Sequence, residues 1–502
     1  MNWGNNKSVS CLVKCFLLFY LFTFLPFNLA AEDGIRTGCR RGINLSKKMP
    51  HRSLVQKQNE AASKYGSDQR QLVVLAAFQD RTFVGDETAT VEQWDKIFNQ
   101  ENFTEKPFAG SVHDYFYAQS YGQFRLTFDL QYVALADPHK KYRSTSADDE
   151  NSQYLVDDIV DSLLKRDIDW SPYDWDDDGY IDQLVIVFAG KGSSYGGFGG
   201  GTDAIWPHQY WLSIHVDESG QARSYRTVSS GGQEYRVDCY CALQELASDN
   251  SYGSFGTLIH EYSHCFGFPD FYASSGSVIK SWDLMDYGNY NDSGFRPCGY
   301  SAHERWLMGW LTPIECTKDT VVSDMPALCD EPQAYLLRND AYENEYYILE
   351  NRQQCGWDAS LPGSGIVVFH IDYDKEIWEG FTDWPNSSSL KRYTIIPANN
   401  KTSITQSALA GWSYPFESNN ELTNTSTPAA TLIHPNSDGT LLMNKPITDI
   451  TITDGLASFE VMKEPTAVTE RMISTTPKVL YDLGPVCIIR CANGEIKKMM
   501  KR

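Results

Sequence analysis

Apolar positions along the chain fall into three textures. Residues 71–78 (QLVVLAAF) and 184–190 (LVIVFAG) are almost unbroken apolar runs of strand length, which predicts strands buried in a sheet. In residues 154–164 the side chains of Leu155, Val156, Ile159, Val160, Leu163 and Leu164 recur with the helical period, which predicts an amphipathic helix. Residues 111–130 (SVHDYFYAQSYGQFRLTFDL) read as a helix, a glycine break at Gly122 and an alternating strand. Beyond Thr312 the texture changes to short alternating runs separated by turn residues, such as YYILENR at 346–352, GIVVFHIDY at 365–373 and ITDITITDGLASFEVM at 447–462. That spacing predicts a β-sandwich. The expected architecture is an α+β or α/β domain over residues 71–311 with a β-sandwich domain over 312–465 packed against it.

The ends of the chain read differently. Lys7 and Lys14 precede an uncharged run rich in Phe and Leu from Cys15 to Leu29, closed by Ala30 and Ala31. A basic start, a short apolar core and small residues describe a secretory signal peptide over residues 1–31. The run is short for a membrane span and contains Pro26, and no later stretch is apolar enough to cross a bilayer. Secretion to the outside of the cell or to its surface is therefore expected. Residues 32–70 are polar, with a basic cast from Arg40, Arg41, Lys47, Lys48 and Arg52, and read as a pro-segment. Cys39 in GCRRG is a candidate to block a metal site in the unprocessed form, because a thiolate is a good zinc ligand; a disulfide is the plainer use. Residues 466–502 form a separate tail.

Charge and cysteine count narrow the partners. A net charge of -22 repels a phosphate backbone, so nucleic acid is excluded as an expected partner. Of 12 Cys, Cys11 and Cys15 leave with the leader, and the rest are even in number, which in an exported chain suits disulfides. Cys316 with Cys329 is the expected pair, since both lie in one loop-rich segment. No pair of Cys-x-x-Cys units occurs, so a zinc finger is not expected.

The chemistry concentrates in residues 256–270, GTLIHEYSHCFGFPD. His260 and His264 are four apart, so on a helix they share a face and can grip one Zn²⁺. Glu261 lies beside that position, where it can take a proton from a water activated by the metal. Phe255, Leu258, Ile259, Tyr262 and Phe266 supply an apolar lining. Gly267 can adopt the left-handed conformation that ends a helix, and Asp270 follows six residues after His264 as a third ligand. A catalytic zinc keeps three protein ligands and one open position. This equipment hydrolyses an amide. The plainer alternative is a core helix with two satisfied histidines. Downstream, SWDLMDYG at 281–288 is a tight turn carrying Met285 and Tyr287.

HEYSHCFGFPDFY, WDLMDYG and PCGYSAHERWLMGWLTP, in that order, resemble the immune inhibitor A family of secreted peptidases (peptidase family M6), over roughly residues 70–460. The resemblance implies a metzincin-like zinc-peptidase domain. It implies one catalytic zinc on His260, His264 and Asp270, with Met285 in a Met-turn beneath the metal. It also implies that Glu261 acts as general base and that Tyr287 supports the oxyanion. Protein or peptide substrates follow. If the third ligand were instead a Glu on a later helix, as in the gluzincins, Glu304 is the nearest candidate. The rival reading from another class is a secreted calcium-dependent binding or adhesion protein with a relic metal site. The tail, VLYDLGPVCIIRCANGEIKKMMKR, resembles the carboxyl-terminal segment of many secreted Bacteroidetes proteins, which implies contact with a secretion machinery.

A second cation site is expected at residues 174–182, DWDDDGYID. Asp174, Asp176, Asp178 and Asp182 stand at positions 1, 3, 5 and 9 of an EF-hand-like loop, with Gly179 at 6 and the Tyr180 carbonyl at 7. Val185 occupies position 12, so a complete EF-hand is excluded and a structural Ca²⁺ would need other ligands. The alternative is an acidic surface turn. The Gly-rich stretch 190–201 lacks Gly-Lys-Ser/Thr and is no phosphate loop; a rim beside the cleft suits it. His208 and His370 are read as structural histidines. Cleavage preference, activation site and oligomeric state are not written in these patterns.

Overall fold

The computed structural model describes residues 64–143, 151–195, 204–215, 223–273, 275–379 and 385–463, with strand segments in the tail. The expected signal peptide, most of the expected pro-segment with Cys39, and the tip of the Gly-rich stretch lie outside the described residues.

The first unit is built on a sheet of five strands. In chain order its elements are β1 (Asp68–Ala77), α1 (Glu87–Asn99), α2 (Val112–Gln119), β2 (Arg125–Ala134), α3 (Ser152–Leu163), β3 (Tyr180–Ile181), β4 (Leu184–Lys191), β5 (His208–Trp211), β6 (Arg226–Ser230), β7 (Gln233–Val237), β8 (Cys239–Leu246) and α4 (Phe255–Cys265). The main sheet runs β2-β1-β4-β8-β5. Its first four strands are parallel, and β5 alone is antiparallel, on the β8 edge. The continuous apolar runs become β1 and β4, whose side chains are almost all buried, as parallel strands covered on both faces require. The period in 154–164 becomes α3, and the helix–break–strand pattern becomes α2 and β2. Ser111 caps α2 in a reciprocal capping box with Asp114, satisfying donors that a helix start leaves open.

The fold reaches a few residues into the stretch read as a pro-segment. β1 begins at Asp68, inside the segment assigned to 32–70, and Tyr65 is buried with its carbonyl accepting from Trp310 Nε1 at 2.8 Å. Residues 64–70 belong to the fold because their aromatic and strand contacts are long-range, which local polarity does not disclose.

After α5 (Ala302–Leu307) the chain forms β9 (Ile314–Glu315), β10 (Thr320–Met325), β11 (Tyr335–Arg338), β12 (Glu345–Arg352), β13 (Gly365–Asp372), β14 (Tyr393–Ile395), β15 (Ile447–Thr453) and β16 (Leu456–Val461). A five-stranded sheet, β14-β13-β12-β11-β9, faces a three-stranded sheet, β10-β16-β15. Between them lies a core of Leu337, Tyr347, Leu349, Val368, Val322 and Phe459, among others. The alternate residues of the larger sheet, Leu336, Tyr346, Ile348, Val367, Phe369 and Ile371, belong to the first unit's core instead. Period-two alternation thus serves two cores at once, and the 311/312 boundary marks a change of texture rather than a separation of cores. The tail strands Lys478–Asp482, Val486–Arg490 and Ile496–Met500 form their own antiparallel sheet.

Cysteine pairing also differs from expectation. Cys329 is bonded to Cys355, not to Cys316, which is a buried free thiol. The loop carrying Cys329 packs next to the end of β12 (Leu328 N donates to Asn351 O at 2.7 Å), so its partner comes from the following turn.

Candidate metal centre

Helix α4 carries the site because each of its faces has a different task. Ser254 caps it, accepting from Thr257 N at 3.1 Å. Gly256 lets the first turn touch the neighbouring backbone, since a Cβ there would meet Asn289 O at 1.8 Å. Tyr262 turns to the sheet and donates to Gln71 Oε1 of β1 at 3.0 Å. The opposite face offers His260 and His264. Gly267, at φ +95°, then reverses the chain in the left-handed conformation, and Asp270 returns to the two imidazoles.

His260 Nε2 and His264 Nε2 each lie 3.3 Å from Asp270 Oδ1. All three residues are buried, at 2%, 4% and 6% exposure, and Glu261 at 4%. The other ring nitrogens are already committed. His260 Nδ1 donates to Leu284 O at 3.0 Å, and His264 Nδ1 donates to Phe268 O at 2.7 Å. Those bonds hold each ring with its Nε2 turned inward, the usual backing of a metal-ligating histidine. Tyr272 donates to the other carboxylate oxygen of Asp270 at 2.9 Å. Buried His260 Nε2 and Asp270 Oδ1 complete no hydrogen bond. Buried polar atoms are rarely left so, and here two of them converge. One ligand atom from each of His260, His264 and Asp270 lies within 4.8 Å of the others. Two imidazoles and one carboxylate at this spacing fit a tetrahedral Zn²⁺ with one position left open.

The electrostatics make the site attractive to positive charge. Burial opposes a charge on His260, but Asp270 and Glu261 outweigh it and push its pKa up to about 9. Burial likewise opposes the Asp270 carboxylate, yet His264 and His260 hold it far below the usual carboxylate range. Glu261 is raised, chiefly by burial, against the pull of the two histidines. A carboxylate shifted toward neutrality is suited to accepting and returning a proton.

Met285 is fully buried. Its turn is tied to the site twice, through the Leu284 carbonyl on His260 and through Phe271 N, which donates to Met285 O at 2.9 Å. Tyr287 packs with Tyr272 and Tyr290, under the Lys280 ammonium. Glu304 is not part of this cluster; it caps α5, accepting from Ser301 N at 2.7 Å. Sequence reasoning missed Tyr272 and the two backing carbonyls. Tyr272 was legible only as a tyrosine two residues beyond Asp270, and carbonyls leave no trace in side-chain spacing.

The acidic loop is arranged otherwise. Asp174, Asp176 and Asp182 do come together. However, Lys64 Nζ lies 2.8 Å from Asp176 Oδ2 and also pairs with Asp182 Oδ1. Asp174 accepts from Asp178 N and Gly179 N at 3.1 and 3.0 Å, Asp182 Oδ2 accepts from Trp175 N at 2.6 Å, and Asp178 is drawn into its own turn by Tyr180 N at 2.8 Å. Burial works against the Lys64 ammonium, but Tyr65, Asp182 and Asp176 hold its pKa above the ordinary lysine value. Asp182 is nonetheless pushed up to about 6, because its burial outweighs what Lys64 returns. Calcium therefore does not fit this loop as it stands: an ammonium bridges two of its three converging carboxylates.

The remaining candidates are structural. His208 contacts Trp206 O at 2.6 Å and the Tyr240 hydroxyl at 3.1 Å, and His370 pairs with Glu345 at 2.7 Å.

The profile described as immune inhibitor A peptidase M6, catalytic domain, matches residues 58–309, just over half of the 502-residue chain. The chain belongs to this family. The pre-pro-metalloprotease PrtV of Vibrio cholerae is 29% identical over 175 residues, covering 31% of this chain and 18% of that protein. Immune inhibitor A of Bacillus thuringiensis subsp. alesti is 27% identical over 170 residues, covering 30% of this chain and 24% of that protein. The chain thus spans about a quarter or less of the length of these relatives.

Proposed function

We propose that the protein is an exported zinc-dependent endopeptidase of metzincin type. The observation that carries this reading is the convergence of two histidine nitrogens and one carboxylate oxygen, two of those atoms buried without a hydrogen bond. His260, His264 and Asp270 hold the zinc, which when bound supplies Lewis acidity and brings the pKa of water toward neutrality. Glu261 takes the proton of the attacking water and delivers it to the leaving amine. Its burial supports this role, because a raised pKa lets one carboxylate act first as base and then as acid. Tyr287 supports the oxyanion, and Met285 floors the site. The antiparallel edge strand β5 runs beside α4, and the Gln209 backbone meets Glu261.

Export rests on the leader-like residues 1–31 and on the family. Among the described residues no helix is long and apolar enough to cross a membrane. The tail's link to a secretion machinery rests on its resemblance alone. The adhesion reading is disfavoured because the base, both imidazoles and their backing carbonyls are all intact.

The test is Glu261→Ala. It should retain zinc while casein or gelatin hydrolysis falls by at least about 10²-fold, the usual scale for a general base. Retained hydrolysis contradicts the mechanism.

A further inference from the structure

The third ligand stands on a loop, and loops hold position only as well as their anchors. Phe271, the residue after Asp270, is anchored from both sides. Its N–H donates to Met285 O at 2.9 Å within the first unit. Its carbonyl accepts from Asn386 Nδ2 at 2.7 Å, across a sequence separation of 115. Asn386 is fully buried, and the rest of its amide is spoken for. It also donates to Tyr393 O at 2.6 Å, and its oxygen accepts from Arg392 N at 2.9 Å and Tyr393 N at 3.0 Å. The Phe271 ring stacks on Tyr393, with centroids 4.0 Å apart. The Tyr393 hydroxyl then reaches the other arm of the site. It donates to Asp283 Oδ2 at 2.9 Å and contacts Ser301 Oγ at 2.8 Å. Asp283 Oδ1 in turn accepts from Met285 N at 2.8 Å.

We propose that Asn386 and Tyr393, both supplied by the second unit, are positioning residues for the metal centre. Asn386 fixes the loop that presents Asp270, and Tyr393 fixes the turn that carries Met285 and the Leu284 carbonyl behind His260. The inference rests on the zinc-peptidase reading. It assigns residues 312–463 a part in the reaction that a mere appendage would not have: the ligand geometry is completed from outside residues 71–311.

The experiment uses the full chain with Asn386→Asp and Tyr393→Phe. Asp keeps the shape and the acceptor of Asn386 but cannot donate to Phe271 O. Phe keeps the stacked ring but loses the bonds to Asp283 and Ser301. Zinc dissociation constants come from competition with a chromophoric chelator, kcat and KM from a quenched-fluorescence peptide, and site geometry from the visible bands of the cobalt-loaded protein. Folding is followed by near-ultraviolet circular dichroism. Loss of an outer partner costs about 10–100-fold in metal affinity or activity. Asn386→Asp should show a loss on that scale in both zinc affinity and kcat, with KM within twofold and shifted cobalt bands. Tyr393→Phe should lose at least threefold in kcat with the same split. If both variants bind zinc and turn over within twofold of wild type, the inference is overturned. If Asn386→Asp does not fold, Tyr393→Phe decides alone. Wild type without zinc would overturn the peptidase reading and the inference with it, whereas zinc-bound wild type with two unaffected variants overturns the inference alone.

Discussion

Two carboxylate-bearing clusters in this chain look alike in sequence and differ in structure. At the end of α4, Asp270 meets two imidazoles whose outer nitrogens are already bonded to carbonyls. The inner nitrogen of each ring and a carboxylate oxygen point to a common centre. In the acidic loop, three carboxylates converge as closely, but Lys64 and the loop's own amides use their oxygens. Convergence of ligand-type residues is therefore not enough. A cation site needs converging donor atoms that the protein has not already satisfied, as with His260 Nε2 and Asp270 Oδ1.

A third residue shows that unsatisfied atoms are not enough either. His303 is fully buried and neither ring nitrogen has a hydrogen-bond partner. It sits among the rings of Trp306, Tyr346, Trp378 and Tyr393. Among the described residues no group of three metal-ligating side chains includes it, and the rings around it make it a packed histidine.

The largest test of the contrast is to remove the returning carboxylate. Asp270→Ala takes away a direct ligand and should weaken zinc binding by more than the 10–100-fold that an outer partner costs. Glu304→Ala should keep zinc, because that carboxylate caps a helix. The reverse result, read by chelator competition, would move the third ligand to Glu304. Next, Tyr272→Phe removes the bond to Asp270 Oδ2, and affinity should fall about 10-fold or somewhat more.

His303 sharpens the comparison through acid. Burial pushes its pKa down from 6.5 to about 3. As pH falls below 6.5 the unfolded chain takes up the proton first, so this residue subtracts stability at about 1.4 kcal/mol per pH unit until pH nears 3. His303→Phe should flatten the stability profile between pH 6.5 and 5 by about that slope, in urea unfolding at several pH values. An unchanged slope would mean that the ring is solvated.

The smallest effect is expected at the acidic loop. Lys64 is 22% exposed along its side chain and Asp182 is 6%, so the pair is partly screened. Lys64→Met should cost about 1–2 kcal/mol. It should also make the melting temperature rise with added calcium, while the wild type stays indifferent. A wild type already stabilised by calcium would show that the ion displaces the ammonium.

The sequence reveals what is local. Spacing four on a helix, a glycine at its end and an aspartate six residues on pick out three residues that the fold does bring together, since each piece acts within one turn of the next. The apolar runs likewise identify β1, β4, α3 and the strands after Thr312. What escapes is long-range. Lys64 lies 112 residues from Asp176, Asn386 lies far beyond Phe271, and Cys355 is chosen over Cys316 by the packing of two turns. The larger sheet of the second unit alternates as a sandwich strand should, yet only the fold shows that its outer face completes the first unit's core.

On the proposed function the end of α4 takes a divalent ion and the acidic loop does not. Elemental analysis of the purified chain, dialysed against equal low concentrations of zinc and calcium, tests it most directly. The account predicts one zinc per chain, lost in Asp270→Ala, and no retained calcium. A chain that holds calcium but no zinc would contradict it.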